Sequence, residues 1–273
     1  MNSTILRRDG VNWSEDEIVL ALAFYCNQPP ANRDGHGKSE PLNRLAVALG
    51  RKPGSVGTKL ANILACDPSM AKLGKRGMEH GSVLDGRVWN RFQDHWDLLP
   101  EAVLDAILKI VPQDCQEDIF DILLPSDTSG ETPMIKKERL LPGKTDRKAF
   151  STIFFKQTVL NVFGNRCCLT GINEKRLLVA ARIKPVSNDS SAELAQPTNG
   201  LCFDVLHGRA FEQGLATVMA SDFTFHTSPR LRRTDPWFVQ YFSPYEGKPI
   251  ELPKGFRPNV DFLKYHNKNI FVA

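Results

Sequence analysis

Three side chains with chemical potential lie in one stretch of the carboxyl-terminal half: Arg182, Asn199 and His207. A guanidinium binds anionic oxygens through its planar fork, and an imidazole can hold a divalent metal ion or transfer a proton. An amide such as Asn199 can orient either group through hydrogen bonds. Together these residue types suit chemistry on a phosphate, where a cation offsets the charge of the reacting group.

The pattern around these residues predicts two short strands followed by a short helix. The apolar run at residues 177–181 is too short for a helix and is soon followed by a proline, so we predict a strand. A polar loop leads to a second apolar run at residues 201–203. Asp204 is of the residue type that caps helix amino termini, and residues 205–213 form the predicted helix. His207 then lies in the first turn of that helix.

This order of elements resembles the core of the HNH endonuclease family, a strand–strand–helix unit that binds one divalent metal ion. Three ordered segments provide the resemblance: Cys-Cys-Leu-Thr-Gly at residues 167–171, Leu-Leu-Val-Ala-Ala-Arg-Ile-Lys-Pro at 177–185, and the stretch 199–211. The resemblance implies a ββα-metal domain. It also implies that His207 is a metal ligand and that Asn199 either orients the group in the base position or braces the loop.

The chain departs from the family pattern at three positions. Arg182 stands where the family has its first histidine, the general base, and an arginine does not release its proton at a usable pH. Gly208 and Glu212 replace two aspartates of the family helix. The site is therefore an Arg-Asn-His version of the family's His-Asn-His set.

Three interpretations of Arg182 remain open. Arg182 can clamp the scissile phosphate while a metal-bound hydroxide attacks. Another histidine, His226 or His266, can act as the base instead. Alternatively, the site does not cleave, and the protein binds DNA without cutting it.

The amino-terminal half predicts three helices in a helix-turn-helix arrangement. Ser14 and Glu17 have the spacing of a capping box at the start of the first helix, and a glycine-containing turn joins the second and third helices. Polar side chains of the turn and of the third helix are of types that contact phosphates and base edges. The predicted DNA-binding residues are Arg51, Lys52, Ser55, Thr58, Lys59 and Asn62.

Length and composition agree with this division into two units. The chain has 273 residues, a net charge of +4 and six cysteines without a Cys-x-x-Cys pair, which argues against a zinc ribbon. We predict an α+β protein with a helical DNA-binding domain at residues 1–97, connecting helices and a linker at 98–145, and the HNH domain at 146–273. The absence of a long apolar stretch or a signal-peptide core favours a cytoplasmic protein that does not enter a membrane.

These patterns predict a metal-dependent DNA endonuclease of the restriction or phage-defence type that acts on double-stranded DNA. Mg²⁺ or Mn²⁺ is the expected cofactor, with Zn²⁺ or Ni²⁺ as alternatives, and a double-strand break would favour a homodimer. The alternatives are a catalytically disabled HNH scaffold that still binds DNA, and a helical protein-interaction module. The nuclease hypothesis requires that His207 face Arg182 and Asn199 across a space for a cation and a phosphate.

Overall fold

The computed structural model describes residues 7–28, 39–71, 74–78, 81–93, 95–123, 147–185, 196–254 and 256–273. In these ranges the chain is an α+β protein with many helices and two small antiparallel sheets. The helices of the amino-terminal half are α1 (Glu15–Cys26), α2 (Glu40–Ala48), α3 (Pro53–Cys66), α4 (Pro68–Ala71), α5 (Val83–Phe92), α6 (Leu99–Ile110) and α7 (Gln113–Leu123).

The carboxyl-terminal half begins with a long helix and alternates short strands with helices. Its elements are α8 (Arg147–Val162), β1 (Leu178–Arg182), β2 (Gly200–Asp204), α9 (Val205–Glu212), β3 (Ala216–Val218), β4 (Phe225–Thr227), α10 (Pro236–Tyr241) and α11 (Val260–Asn269). Residues 124–145, the last part of the predicted segment of connecting helices and linker, lie outside the described residues.

Helix α1 is at the centre of the amino-terminal half. The predicted capping box is confirmed, because Oγ of Ser14 accepts a hydrogen bond from the Glu17 amide and Glu17 accepts one from the Ser14 amide. Apolar residues occupy nearly the whole circumference of α1, and residues 18–26 are all buried. Such a helix needs neighbours on every side. Helices α3, α5 and α6 provide them.

The predicted connecting helices are part of this same core. Val103, Leu104 and Ile107 of α6 are fully buried in the hydrophobic cluster that α1 organises. Helix α7 packs against α2. Residues 99–123 therefore complete the helical bundle, and the core of that bundle does not end near residue 97.

The predicted strand–strand–helix unit is present. Strands β1 and β2 pair antiparallel, with Leu178 opposite Asp204 and Arg182 opposite Gly200. Asp204 caps α9 as expected, since its Oδ1 accepts hydrogen bonds from two backbone amides of the first turn. The residues that follow α9 form a second hairpin, in which β3 pairs antiparallel with β4. Helix α9 folds back onto β1, so the side chains of the helix and hairpin meet.

Helix α8 joins the two halves. Phe150 and Phe154 belong to the core of the helical bundle, whereas Phe155 and Val159 belong to the core around the β1–β2 hairpin. Both cores therefore use the same helix. Within the described ranges, no helix combines the length and apolarity needed to span a bilayer.

Candidate functional site

The His207 ring is buried and bonded at both nitrogens. Nδ1 lies 2.8 Å from Oδ2 of Asp204, and Nε2 lies 2.8 Å from the carbonyl oxygen of Tyr241 at the end of α10. The rings of Phe242 and Tyr245 enclose the imidazole, with centroids 4.9 and 5.3 Å away. Only 3% of His207 is exposed.

Both ring nitrogens of His207 point at oxygen acceptors rather than into a space for a metal ion. A carbonyl oxygen only accepts hydrogen bonds, so Nε2 donates to Tyr241. Burial raises the pKa of Asp204, but the hydrogen bond and charge of His207 outweigh it and lower that pKa to about 2. The carboxylate is therefore an acceptor as well, so both ring nitrogens of His207 face hydrogen-bond acceptors. A metal ligand would have to offer one of these nitrogens unprotonated.

Arg182 packs against Phe155 of α8. Its Cζ sits 3.7 Å from the centroid of the Phe155 ring, a close cation–π contact. Both Nη atoms are buried, and within the described part of the chain neither has a hydrogen-bond partner. Burial lowers the pKa of Arg182 to about 10, an effect that the charge of Glu212 partly offsets. The guanidinium still remains protonated at neutral pH.

Arg182 lines a cavity of about 430 Å³ that also contains Glu212 and His266. Burial raises the pKa of the Glu212 carboxyl, and the charges of Arg209 and Arg182 counter part of that rise. His207 and Asn199 are not among the residues that line this cavity. The structure therefore brings Arg182 together with Glu212, a residue to which the sequence interpretation gave no role, rather than with His207.

Asn199 braces the loop that joins the two strands. Its Oδ1 accepts a hydrogen bond from the Lys184 amide at 2.8 Å, and its Nδ2 donates to the Lys184 carbonyl at 2.9 Å. Asn199 is fully buried. The resemblance implies that Asn199 either orients the group in the base position or braces the loop, and this geometry corresponds to the second role.

Gly208 has no room for the aspartate that the family has in this position. A Cβ atom added there would lie 2.3 Å from Cγ2 of Val179 and 3.3 Å from Cβ of Phe203. Any side chain at position 208 would thus displace Val179 from its place on β1. The close contact between α9 and β1 depends on the glycine.

The two alternative bases are also engaged. Nε2 of His266 donates to the Phe211 carbonyl, and its Nδ1 accepts from the Thr217 hydroxyl at 2.9 Å. Burial lowers the pKa of His266 to about 4, so the ring is neutral at pH 7. His226 lies 3.4 Å from Glu246, on the β3–β4 hairpin, and does not line the Arg182 cavity.

In the helical half, three predicted DNA-binding side chains are buried in polar networks. Arg51 forms a two-point ion pair with Glu17, at 2.8 and 3.0 Å. Lys59 and Asn62 both donate to the Asp85 carboxylate, at 2.7 and 2.8 Å. These three side chains stabilise the bundle and do not form a surface that DNA can contact.

The other three predicted residues lie on the outer side of the bundle. Lys52 is exposed and lies 3.7 Å from Asp9, and Thr58 is exposed with its hydroxyl bonded to the Gly54 carbonyl. Ser55 is half-buried and accepts a hydrogen bond from Nε1 of Trp13. A single strongly exposed cation, Lys52, therefore remains from the predicted set.

The sequence interpretation missed a basic and aromatic surface beside α9. Arg230, Arg232 and Arg233 are exposed on the loop before α10, and only Arg233 has an ion-pair partner within the described ranges, Glu246 at 3.8 Å. Trp237 and Tyr241 of α10 are also exposed. We call these five residues, Arg230, Arg232, Arg233, Trp237 and Tyr241, the Arg-Trp surface. The Pro-Arg-Leu-Arg-Arg run was the available signal.

No protein-family model matches this chain, and no match was found among curated proteins. Among the described residues, no three His, Cys, Asp or Glu side chains gather as a group that could hold a metal ion. The geometry around His207 and Arg182, together with the Arg-Trp surface, therefore provides the evidence for a function.

Proposed function

We propose that this protein binds DNA through a strand–strand–helix scaffold of the HNH type and does not cut it. The observation on which the proposal depends is the pairing of both His207 ring nitrogens with acceptors, Asp204 and the Tyr241 carbonyl. A nuclease of this type needs an imidazole lone pair on a metal ion.

Two further features support a site without cleavage chemistry. Arg182 is a protonated guanidinium in the general-base position, and a protonated group cannot activate water. Gly208 lacks the family carboxylate, and Val179 occupies the space for it. The base and the carboxylate are thus replaced, and the retained imidazole of His207 is paired at both nitrogens.

The Arg-Trp surface supports binding to DNA. Arginines pair with phosphates through their planar forks, and exposed aromatic rings stack on bases or sugars. Helix α10, which carries Trp237 and Tyr241, is the same helix whose last carbonyl closes off His207. The Arg-Trp surface is therefore carried in part by the helix that contacts His207 of α9. Lys52 on the helical bundle offers a second contact.

Replacing Arg232 by alanine is expected to weaken duplex binding in gel-shift titrations of the full chain. Each phosphate contact releases counterions, so the slope of log K against log salt should become shallower by roughly 0.9 for one lost contact. Arg176→Ala is the matched control, because Arg176 is also exposed but is paired with Glu174 at 3.0 Å. Lys52→Ala shows whether the helical bundle contributes a contact.

An unchanged salt slope in both Arg232→Ala and Lys52→Ala would refute these surfaces as the DNA interface. If the unaltered chain shows no salt-dependent shift at all, the proposed function itself is wrong. A shift that only Lys52→Ala weakens would assign the contact to the helical bundle.

An active endonuclease is the second candidate, and the shared cavity of Arg182 and Glu212 favours it. Arg182 could clamp a phosphate while the Glu212 carboxylate holds a cation or a water molecule. In that case, cleavage would depend on Glu212 rather than on His207. Plasmid cleavage by the unaltered chain, lost in Glu212→Gln, would support this candidate.

A further inference from the structure

A second cavity, of about 340 Å³, lies where the two halves meet. Its walls come from α1, α5 and α6 of the bundle, from α8, and from the segments around residues 197 and 256. The volume is within the usual range for small-molecule sites. The site described above uses none of these wall residues.

The walls of this cleft are unusually aromatic. Tyr25, Trp89, Trp96, Phe154 and Phe256 all line it. The rings of Trp89 and Trp96 stand nearly perpendicular, at 79° with centroids 5.5 Å apart. Trp96 is only partly buried, so its ring is accessible from the cleft. Flat aromatic walls favour a planar ligand that stacks on them.

The charged groups that line the cleft are a carboxylate and a guanidinium. Asp67 is 5% exposed and accepts a hydrogen bond from the Tyr25 hydroxyl at 2.8 Å. A carboxylate accepts several hydrogen bonds at once, so an amino group can share it with Tyr25. Arg257 lines the same cleft and is exposed, which places a positive charge at its mouth.

We propose that this cleft binds a nucleotide whose base has an exocyclic amino group, namely adenine or cytosine. The base stacks on Trp96, its amino group donates to Asp67, and its phosphate lies toward Arg257. Carboxylates recognise the cytosine amino group in the same way. A simple cationic ligand fits less well, because Arg257 would repel it. The base can belong to a free nucleotide or to a nucleotide extruded from a DNA strand.

Calorimetric titration of the full chain with AMP, CMP and thymidine monophosphate tests this proposal. AMP and CMP should bind more tightly than thymidine monophosphate, whose base lacks the amino group. Trp96→Ala should weaken AMP binding roughly 5- to 100-fold, the effect of losing one base–aromatic stack. Tyr265→Ala, which removes an exposed aromatic ring outside the cleft and outside the Arg-Trp surface, should leave AMP binding unchanged.

A second variant covers the case in which Trp96→Ala does not fold. Arg257→Ala changes an exposed side chain and should weaken binding of AMP but not of adenosine. No measurable heat with any of the three nucleotides at millimolar concentration would overturn the proposal. AMP affinity that neither Trp96→Ala nor Arg257→Ala alters would overturn it as well.

Competition distinguishes the two sources of the base. A DNA duplex with one unpaired adenine should displace AMP if the base comes from DNA, and should leave AMP binding unchanged if the ligand is a free nucleotide. The experiments can refute the nucleotide site and the proposed DNA-binding function independently of each other. Gel shifts through the Arg-Trp surface without nucleotide binding refute only the cleft, whereas nucleotide binding without gel shifts refutes only the proposed function.

Discussion

His207→Ala is expected to destabilise the protein by about 3–5 kcal/mol, the usual cost of leaving a buried charge, here the Asp204 carboxylate, without its partner. The substitution leaves the Asp204 carboxylate without its main partner and frees the Tyr241 carbonyl inside an aromatic shell. Urea unfolding at pH 7 in the presence of EDTA measures the change. EDTA is included because removing a metal ligand would lower the stability of the protein only when the metal is bound.

His226→Ala is the matched control. The His226 side chain is 38% exposed and lies 3.4 Å from Glu246, so its loss should cost at most about 1 kcal/mol. If His207→Ala unfolds in EDTA at the same urea concentration as the unaltered chain, His207 is not the structural link described here. A stability difference that appears only on adding Mg²⁺ or Mn²⁺ would show that His207 is a metal ligand.

Glu17→Gln is expected to cost a similar amount, about 3–5 kcal/mol, in the helical bundle. Arg51 uses its five donors fully: two hydrogen bonds reach Glu17 and three reach the carbonyls of Arg8, Val11 and Asn12. Glutamine keeps the shape of glutamate but leaves the buried guanidinium without its counter-charge. Urea unfolding at pH 7 measures the loss.

The pH dependence of this loss has a defined sign. Burial raises the pKa of Glu17, but the Arg51 hydrogen bond and charge outweigh it, so the pKa lies below its ordinary value of 4.5. The folded state then binds fewer protons than the unfolded state, and the stabilisation by Glu17 decreases as the pH falls below 4.5. The difference between Glu17→Gln and the unaltered chain should therefore shrink in acid.

Glu15→Gln provides the control for this second prediction. Glu15 is in the same helical turn, and its ion pair with Arg91 at 2.8 Å is about half exposed on both sides. Its loss should cost less than about 1 kcal/mol at pH 7. Equal effects of the two substitutions would contradict the assignment of Arg51 to the bundle core.

Local sequence signals predicted the elements well because each depends on neighbouring residues. The Ser14–Glu17 capping box, the Asp204 cap and the two short apolar runs of the hairpin all act within a few positions. The inward position of Lys59 could also be predicted from the sequence, because Lys59 lies three residues after Val56 and four before Ile63 on the buried face of α3.

The surroundings of the functional side chains could not be predicted in this way. His207 is closed by the carbonyl of Tyr241, a residue far along the chain, and nothing near position 207 indicates that contact. Arg182 packs on Phe155 of α8. An irregular segment separates that helix from the β1–β2 hairpin in the sequence. The burial and the contacts of both side chains follow from tertiary packing, whereas the sequence pattern reports residue type and order alone.

Incubation of supercoiled plasmid with the full chain in Mg²⁺ or Mn²⁺ distinguishes a protein that only binds DNA from a nuclease. Binding without cleavage is the expected result. Arg182→His should not restore cleavage, because His207 remains paired and position 208 remains a glycine. Nicking by the unaltered chain that EDTA stops and that Glu212→Gln abolishes would contradict the claim.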